Sequence, residues 1–294
     1  MRAIVFGGSG FLGSHVADTL SDAGYQVRIF DLSDSPYRRP DQEMVLGDMM
    51  DFDRVLESVD GCSYVYNFAG IADLDDASTK PVETARLNVE GNINILEACR
   101  LKGVSRFVYA STIYVYSNKG GFYRCSKQAS ELYIEEFSNR FGLTYTILRY
   151  GTLYGPRADE RNSVYRYLSQ ALECGRLEVS GTGKELREYI HVKDAAKLSV
   201  RILDEEFKNR HLIITGHHPV EFGQLLEIIK EILGQEVVIS YRPVEGSDVR
   251  NHYSITPYSF NPKIGENLTT DCYVDIGQGL LECLAEIYNR KGSS

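Results

Sequence analysis

Tyr123 and Lys127 stand four residues apart at the start of a stretch with helical patterning. Residues at that spacing share one helix face. An ammonium beside a phenol favours the phenolate. A tyrosine tuned in this way can serve as general base or acid near neutral pH. The spacing alone arises by chance in a chain with 20 tyrosines, so placement has to carry the argument. Ser111 and Thr112 follow the strand-like run Arg106–Ala110, one loop before Tyr123. Open α/β sheets bind ligands at the carboxyl ends of their strands. A hydroxyl there can hydrogen-bond a substrate oxygen that loses or gains a proton.

A second constellation sits at the N-terminus. Gly7-Gly8-Ser9-Gly10-Phe11-Leu12-Gly13 follows the apolar run Arg2–Phe6 and opens a helix pattern, giving GxxGxxG from Gly7. Small residues allow the sharp turn and let a pyrophosphate approach the helix N-terminus, whose N–H groups and dipole favour anions. Strand before and helix after are the context that gives such glycines meaning. Asp31 falls 18 residues after Gly13, at the end of the second strand-like run Tyr25–Phe30. A carboxylate there accepts hydrogen bonds from the adenosine ribose and repels a 2′-phosphate. Arg38 and Arg39 lie seven residues and more beyond it, so NAD is expected rather than NADP.

The elements that must hold these groups alternate. Strand patterns at Arg2–Phe6, Tyr25–Phe30, Tyr64–Phe68, Arg106–Ala110 and Thr144–Leu148 interleave with helix patterns at Leu12–Ala23, Arg54–Ser58, Val82–Leu101 and Tyr123–Phe141. That rhythm predicts an α/β fold, a doubly wound parallel sheet with helices on both faces. After about Leu153 the rhythm breaks. A loop over Gly155–Asn162, a helix near Val164–Cys174 and an irregular stretch Gly175–Lys184 come next. Short strands at Leu212–Thr215 and Val237–Tyr241 and helices at Phe222–Leu233 and Gly277–Tyr288 complete the pattern. We expect residues 1–153 to form the dinucleotide-binding domain, with a return segment near 187–215. Residues 154–294 are expected mainly to form a smaller, mixed α/β substrate domain.

The chain has 294 residues, 43% of them apolar, and a formal charge of −9. At about 150 residues per domain this allows one large domain or two small ones. The acidic balance argues against a nucleic-acid partner, which would want a basic face. No apolar run approaches the roughly 18 residues of a membrane span. Only Ala3–Phe6 precede the glycines as an apolar run, too short for a secretory leader, so a cytoplasmic location is expected. The six cysteines are scattered without a CxxC pair, which reads as reduced thiols and no metal site.

Taken in order, the motifs are recognisable. The chain resembles the extended short-chain dehydrogenase/reductase family, in its nucleotide-sugar epimerase/dehydratase branch, over nearly its whole length. The resemblance rests on GGSGFLG at Gly7–Gly13, Asp31, Gly47-Asp48, NFAG at Asn67–Gly70 and LNVEGNINILEA at Leu87–Ala98. It continues with YASTIYVYS at Tyr109–Ser117, YRCSK at Tyr123–Lys127, LRYGTLYGPR at Leu148–Arg157 and REYIHVKD at Arg187–Asp194. It implies a Rossmann-type sheet, bound NAD and a nucleotide-sugar substrate. For the cofactor it implies Gly7, Gly10, Phe11, Leu12, Gly13 and Asp31, with Asp48 and Met49 by the adenine. Phe68, Ala69 and Gly70 would line its middle, supported by Asn88. Tyr123, Lys127 and Tyr150 would border the nicotinamide end. Thr112 takes the catalytic hydroxyl position ahead of Ser111, Tyr123 that of the base, and Lys127 that of its tuning partner. Arg187 would reach the substrate diphosphate, Thr152 stands where the family often has Asn, and Arg242 and Arg250 compete for a second phosphate contact. His191 is expected to be structural. A homodimer through helices Val82–Leu101 and Tyr123–Phe141 is also implied by the resemblance alone.

Departures narrow the chemistry. The branch's 4,6-dehydratases carry an Asp-Glu pair after the catalytic hydroxyl, and its decarboxylases keep the Glu. Here those positions hold Ile113 and Tyr114, which cannot do that acid–base work. Only ten residues separate Thr112 from Tyr123, so a more open pocket is expected, or one covered by the C-terminal part. The expected activity is an NAD-dependent epimerase acting through a transient 4-keto sugar. A net oxidoreductase and a non-catalytic NAD-binding module are the alternatives. Release of free NADH would mark the first, and NAD binding without turnover the second.

Overall fold

The structure is a computed structural model that describes residues 1–117, 119–234, 237–242, 266–268 and 273–292. Its centre is a parallel sheet. The strands are β1 (Arg2–Phe6), β2 (Gln26–Asp31), β3 (Gln42–Leu46), β4 (Tyr64–Asn67), β5 (Arg106–Thr112), β6 (Tyr145–Tyr150), β11 (Arg210–Ile214) and, at one edge, β14 (Glu266–Asn267). Their order is β14-β11-β6-β5-β4-β1-β2-β3, and each neighbouring pair is parallel. The order reverses between β1 and β4, which opens a ligand crevice at their carboxyl ends.

Alternation along the strands explains the two faces. Ala3, Val5, Val27, Ile29, Tyr66, Val108 and Leu148 pack with Leu12, Val16 and Leu20 of α1 (Phe11–Asp22) and Val192 and Ala195 of α8 (Val192–Arg201). The alternate residues Ile4, Phe6, Phe30, Val65, Phe107, Tyr109 and Ile147 pack on the other side. They meet Val55 and Val59 of α2 (Phe52–Val59), Ile95 and Leu96 of α5 (Gly91–Lys102) and Ile134 of α6 (Gly121–Phe141). Period-two burial on both faces is the signature of a doubly wound sheet.

Several boundaries differ from the sequence expectation. The helix expected over Val82–Leu101 is composite: α4 (Pro81–Ala85), a π-turn over Arg86–Glu90, then α5. A short α3 (Leu74–Thr79) precedes it and gave no apolar period to read. Strand β3 was also not foreseen, because as the edge strand it is only partly covered and carries polar residues. Its buried Gln42 is held by Asp18 and Ser21 on α1.

Beyond β6 the chain builds a second core. The elements are β7 (Thr152–Tyr154), α7 (Ser163–Cys174), β8 (Arg176–Ser180), β9 (Leu186–Arg187) and β10 (Tyr189–His191). After β11 follow β12 (Val220–Glu221), α9 (Phe222–Leu233), β13 (Val238–Arg242) and α10 (Ile276–Gly292). Strand β8, inside the stretch expected to be irregular, pairs with β13. Leu168, Leu177, Val179, Leu225, Leu226, Ile229, Leu280 and Ile287 form this core. The span 187–215 threads back, with α8 packed on α1 and β11 hydrogen-bonded to β6. Arg157 ties the parts together: its guanidinium meets Asp18 on α1 at 2.6 Å and its N–H donates to Glu286 on α10 at 2.6 Å. No helix among the described residues is long and apolar enough to cross a membrane. Cys62, Cys99 and Cys283 are buried, Cys125 and Cys174 exposed, all free; Cys272 lies outside the described residues.

The first turn of α1 is packed as closely as only glycine allows. A Cβ on Gly13 would lie 2.1 Å from the carbonyl oxygen of Gly7, and one on Gly10 would lie 3.2 Å from it. Gly13→Ala is therefore expected to cost about 1–3 kcal/mol by overpacking, and Gly10→Ala less. Urea titration of the two variants beside the parent checks the order.

Candidate active site

Gly7 turns the chain at φ +75° out of β1, where a Cβ would strike the backbone of Phe68 and Ala69 at 2.7–2.8 Å. The turn ends at Gly10, which caps α1 without a side chain. Such an uncapped helix start, with no Cβ at Gly10 or Gly13, is a cradle that fits a phosphate. Asp31 anchors the turn. One oxygen accepts from Ser9 N–H at 3.0 Å and the other from Leu32 N–H at 2.8 Å. The carboxylate thus sits beside the glycine turn at the end of β2. Phe11 and Leu12 open the helix, Leu12 buried and Phe11 half-buried.

The remaining expected cofactor residues follow β3 and β4, lie in the π-turn or end β6. Asp48 is exposed and accepts from Met50 N–H at 2.9 Å, while Met49 is buried. Gly91 on α5 makes room for Met49: a Cβ there would meet its sulfur at 2.9 Å. Phe68 and Ala69 follow β4 and Gly70 turns at φ +130°. Asn88, in the π-turn, clamps this loop by accepting from Ile71 N–H at 2.7 Å and donating to Ile71 C=O at 2.9 Å. π-turns inside helices often mark functional positions. Tyr150 needs a correction. It ends β6 as expected, but the strand period turns its ring to the α1–α8 face, where its phenol meets Ser199 at 2.6 Å. Its hydroxyl is therefore engaged on that face.

The expected catalytic groups converge. Thr112 ends β5 and is buried; Tyr123 and Lys127 stand on the first turns of α6, Tyr123 half-buried and Lys127 buried. The Lys127 ammonium donates to Ala110 C=O at 2.8 Å and lies 4.8 Å from the Tyr109 ring centre and 5.7 Å from that of Tyr123. Two aromatic faces and a carbonyl therefore cage the cation. The charge balance differs from the sequence expectation. Burial pushes the Tyr123 phenol up to about 12, partly offset by a hydrogen bond with Thr112. Burial pulls Lys127 down to about 8, opposed by the Glu131 charge. The lysine is caged against carbonyl and ring rather than bonded to the phenol, so burial dominates both groups.

On the substrate side, Thr152 on β7 pairs in register with Tyr189 of β10, and Thr152 N–H donates to Glu188 C=O at 2.8 Å. Arg187, on β9 two residues before Tyr189, is half-buried, and its guanidinium donates to Leu186 C=O at 2.9 Å. Pairing of β7 with β10 thus sets Thr152 beside the return segment that carries Arg187. Arg242 is exposed and paired with Glu178; Arg250 lies outside the described residues. His191 is buried, its imidazole 3.4 Å from Glu282 and its pKa lowered by burial, which is a structural placement.

Apart from Lys127, sequence reasoning missed the polar underside of α6. Ser126, Lys127, Ser130 and Glu131 are all buried there. Asn88 donates to Ser126 Oγ at 2.9 Å, and Ser130 donates to Asn88 C=O at 2.7 Å. Glu131 takes Ser111 and Arg149. The available signal was a run of polar residues at helical spacing from Lys127, where an apolar stripe is the norm.

A doubly wound sheet with a glycine turn, an acidic strand end and a Thr–Tyr–Lys constellation defines a dinucleotide-dependent enzyme class. The profile of the NAD dependent epimerase/dehydratase family matches residues 3–215, and the chain belongs to that family. NAD is thus the cofactor for which the cradle, Asp31 and the caged lysine are suited. The crystal structure of a UDP-glucose 4-epimerase with UDP-glucose from Thermotoga maritima superposes with a TM-score of 0.82 at 26% identity, covering 100% of both chains. A UDP-N-acetyl-alpha-D-glucosaminuronate decarboxylase of Bacillus cytotoxicus is 26% identical over 83% of this chain and 84% of its own. A dTDP-glucose 4,6-dehydratase of Mycobacterium tuberculosis is 27% identical over 74% and 72%. Relatives at this distance carry out three different reactions.

Burying Lys127 costs stability. The unfolded chain holds its proton to the ordinary 10.5, whereas the folded chain releases it near 8, so stability rises with pH between those values. Lys127→Met should stabilise protein stripped of NAD by about 2 kcal/mol at pH 7. The gain should shrink as the pH passes from 8 to 10.5. Denaturant melts at pH 7 and pH 10 check this.

Proposed function

We propose that this protein is an NAD-dependent epimerase of a nucleotide-diphosphate sugar that works through a transient 4-keto sugar. The observation that carries the reading is Thr112 at the end of β5, close enough to Tyr123 for its hydroxyl to favour the phenolate, with Lys127 caged on the same helix face and no carboxylate at the two positions that follow Thr112. Ile113 there is buried in an apolar cluster and Tyr114 is half-buried. Neither can protonate a leaving hydroxyl or remove a C5 proton, which sets this site apart from dehydratase chemistry.

Tyr123 takes the proton of the sugar C4 hydroxyl and Thr112 holds that oxygen. NAD, when bound, would supply the hydride acceptor and donor, and its positive charge would favour the phenolate. Lys127 would hold the cofactor's ribose side and Asp31 its adenosine end. Arg187, with Thr152 beside it and Arg250 as a second candidate, keeps the diphosphate while the keto sugar turns, so Tyr123 returns the proton with the other face presented. Residues 154–294, apart from the 187–215 return, serve as the substrate domain.

We further propose a homodimer through α5 and α6. Leu132 and Tyr133 on α6 and Leu101 on α5 are exposed, as are Phe122 and Phe141 at the two ends of α6. Leu132→Glu should shift the mass from dimer to monomer in light scattering; a wild-type monomer would remove this part of the reading.

Purified protein should be incubated with UDP-, GDP-, CDP- and dTDP-sugars, reading sugars by NMR and NADH by absorbance. One C4-epimeric pair should interconvert without accumulating NADH. Steady NADH release, or a 6-deoxy product, would replace the epimerase reading. Tyr123→Phe should lose about 10²–10⁴-fold in turnover while still binding NAD.

A further inference from the structure

The face of α6 that carries Tyr123 and Lys127 continues at steps of four to Glu131 and Glu135. Glu131 is buried and gripped from two strands. Ser111 on β5 donates to its Oε1 at 2.5 Å. Arg149 on β6 donates through Nε at 3.0 Å and through Nη2 at 2.6 Å. The side chains of this pair are 4% and 8% exposed. Arg149 is itself held by the Tyr116 phenol at 2.5 Å and by His211 Nδ1 at 2.9 Å, and His211 Nε2 faces Glu135 at 3.3 Å.

A buried ion pair is a poor means of gaining stability, because desolvation consumes most of the attraction. Its position is more informative. Ser111 is the residue before Thr112. Glu131 lies one helical turn from Lys127, and so on the same face. The pair therefore joins the strand end that carries the hydroxyl to the helix that carries the phenol and the ammonium.

We propose that Glu131 is a positioning residue. By holding Ser111 and Arg149 it sets Thr112 against Tyr123, and its carboxylate is the counter-charge of the buried Lys127 ammonium. This rests on the reading of Thr112, Tyr123 and Lys127 given above. The groups facing Lys127 are Tyr109 and Ala110 C=O from β5, and Tyr123 and Glu131 from its own helix. Arg149 from β6 and His211 from β11 stand behind Glu131. Among the described groups around Lys127, Glu131 is the carboxylate one helical turn away, and its charge opposes the burial that pulls the lysine down.

Protein labelled with ¹³Cε-lysine allows the Lys127 signal, assigned by its loss in Lys127→Arg, to be titrated without turnover. Glu131→Gln should lower the proton affinity of Lys127 about tenfold, the size of one lost counter-charge. The alkaline limb of kcat should fall by the same step. Ser111→Ala leaves both charges in place, so the Lys127 titration should stay put. Its kcat should drop about tenfold from looser placement, with KM little changed. The double variant Glu131→Leu with Arg149→Met keeps an apolar fold without either charge and should still show the lowered affinity, which separates positioning from folding. An unshifted Lys127 titration in both Glu131 variants would overturn the proposal, as would wild-type kcat in Ser111→Ala. If the parent protein turns over no nucleotide sugar, the functional reading fails, and the Lys127 titration still decides the role of Glu131.

Discussion

The side of α6 that faces the sheet is polar, and a buried polar group must find a partner or cost the fold its full desolvation. That requirement organises the site. Ser126, Lys127, Ser130 and Glu131 each reach a specific group on the π-turn or on β5 and β6. An apolar stripe could slide along the strands by a fraction of a turn at little cost. These pairs cannot, so the helix stands at one position along β5, and at that position Tyr123 meets Thr112. Precision here comes from polar satisfaction, with Ile134 supplying apolar burial further along the helix.

A second constraint acts at the other end of the crevice. The start of α1 is pressed onto the Gly7 carbonyl, a contact only glycine at position 13 allows. The close approach packs α1 against β1 and leaves its first N–H groups facing the carboxyl ends of the strands. Asp31 then fastens the turn through Ser9. One carboxylate at the end of β2 thus anchors the glycine turn with one oxygen and its own following backbone with the other.

The large features were legible in the sequence. The strands β1, β2, β4, β5 and β6 are short apolar runs closed by glycine or polar residues. The glycine turn, Asp31, Tyr123 and Lys127 fall at the element ends that spacing gives them, whereas only the resemblance separates Thr112 from Ser111. Three kinds of feature stayed hidden for physical reasons. Strand β3 is an edge strand whose burial is too slight to impose a period. The π-turn looks like ordinary helix, since one extra residue in a turn leaves the composition unchanged. The Glu131–Arg149 pair joins residues distant in sequence, and each alone reads as a solvated charge. Tyr150 shows a related limit: its place at a strand end was readable, but the face its ring takes depends on β6 register across the sheet.

The chain's net charge of −9 coexists with cationic groups at the centre of its site, and the two are compatible because they act over different distances. At physiological salt, exposed charges are screened within about 8 Å, so the acidic surface contributes little inside the crevice. There the balance is set by few groups in low dielectric: Lys127 beside aromatic rings, Glu131 beneath it, and Arg149 behind. Burial alone would leave a neutral phenol and a weakly held ammonium, which is inert toward a hydroxyl. Burial thus outweighs the help that Thr112 gives the phenol and Glu131 gives the ammonium. In low dielectric a single further charge placed against these groups would move their balance more than the whole screened surface does.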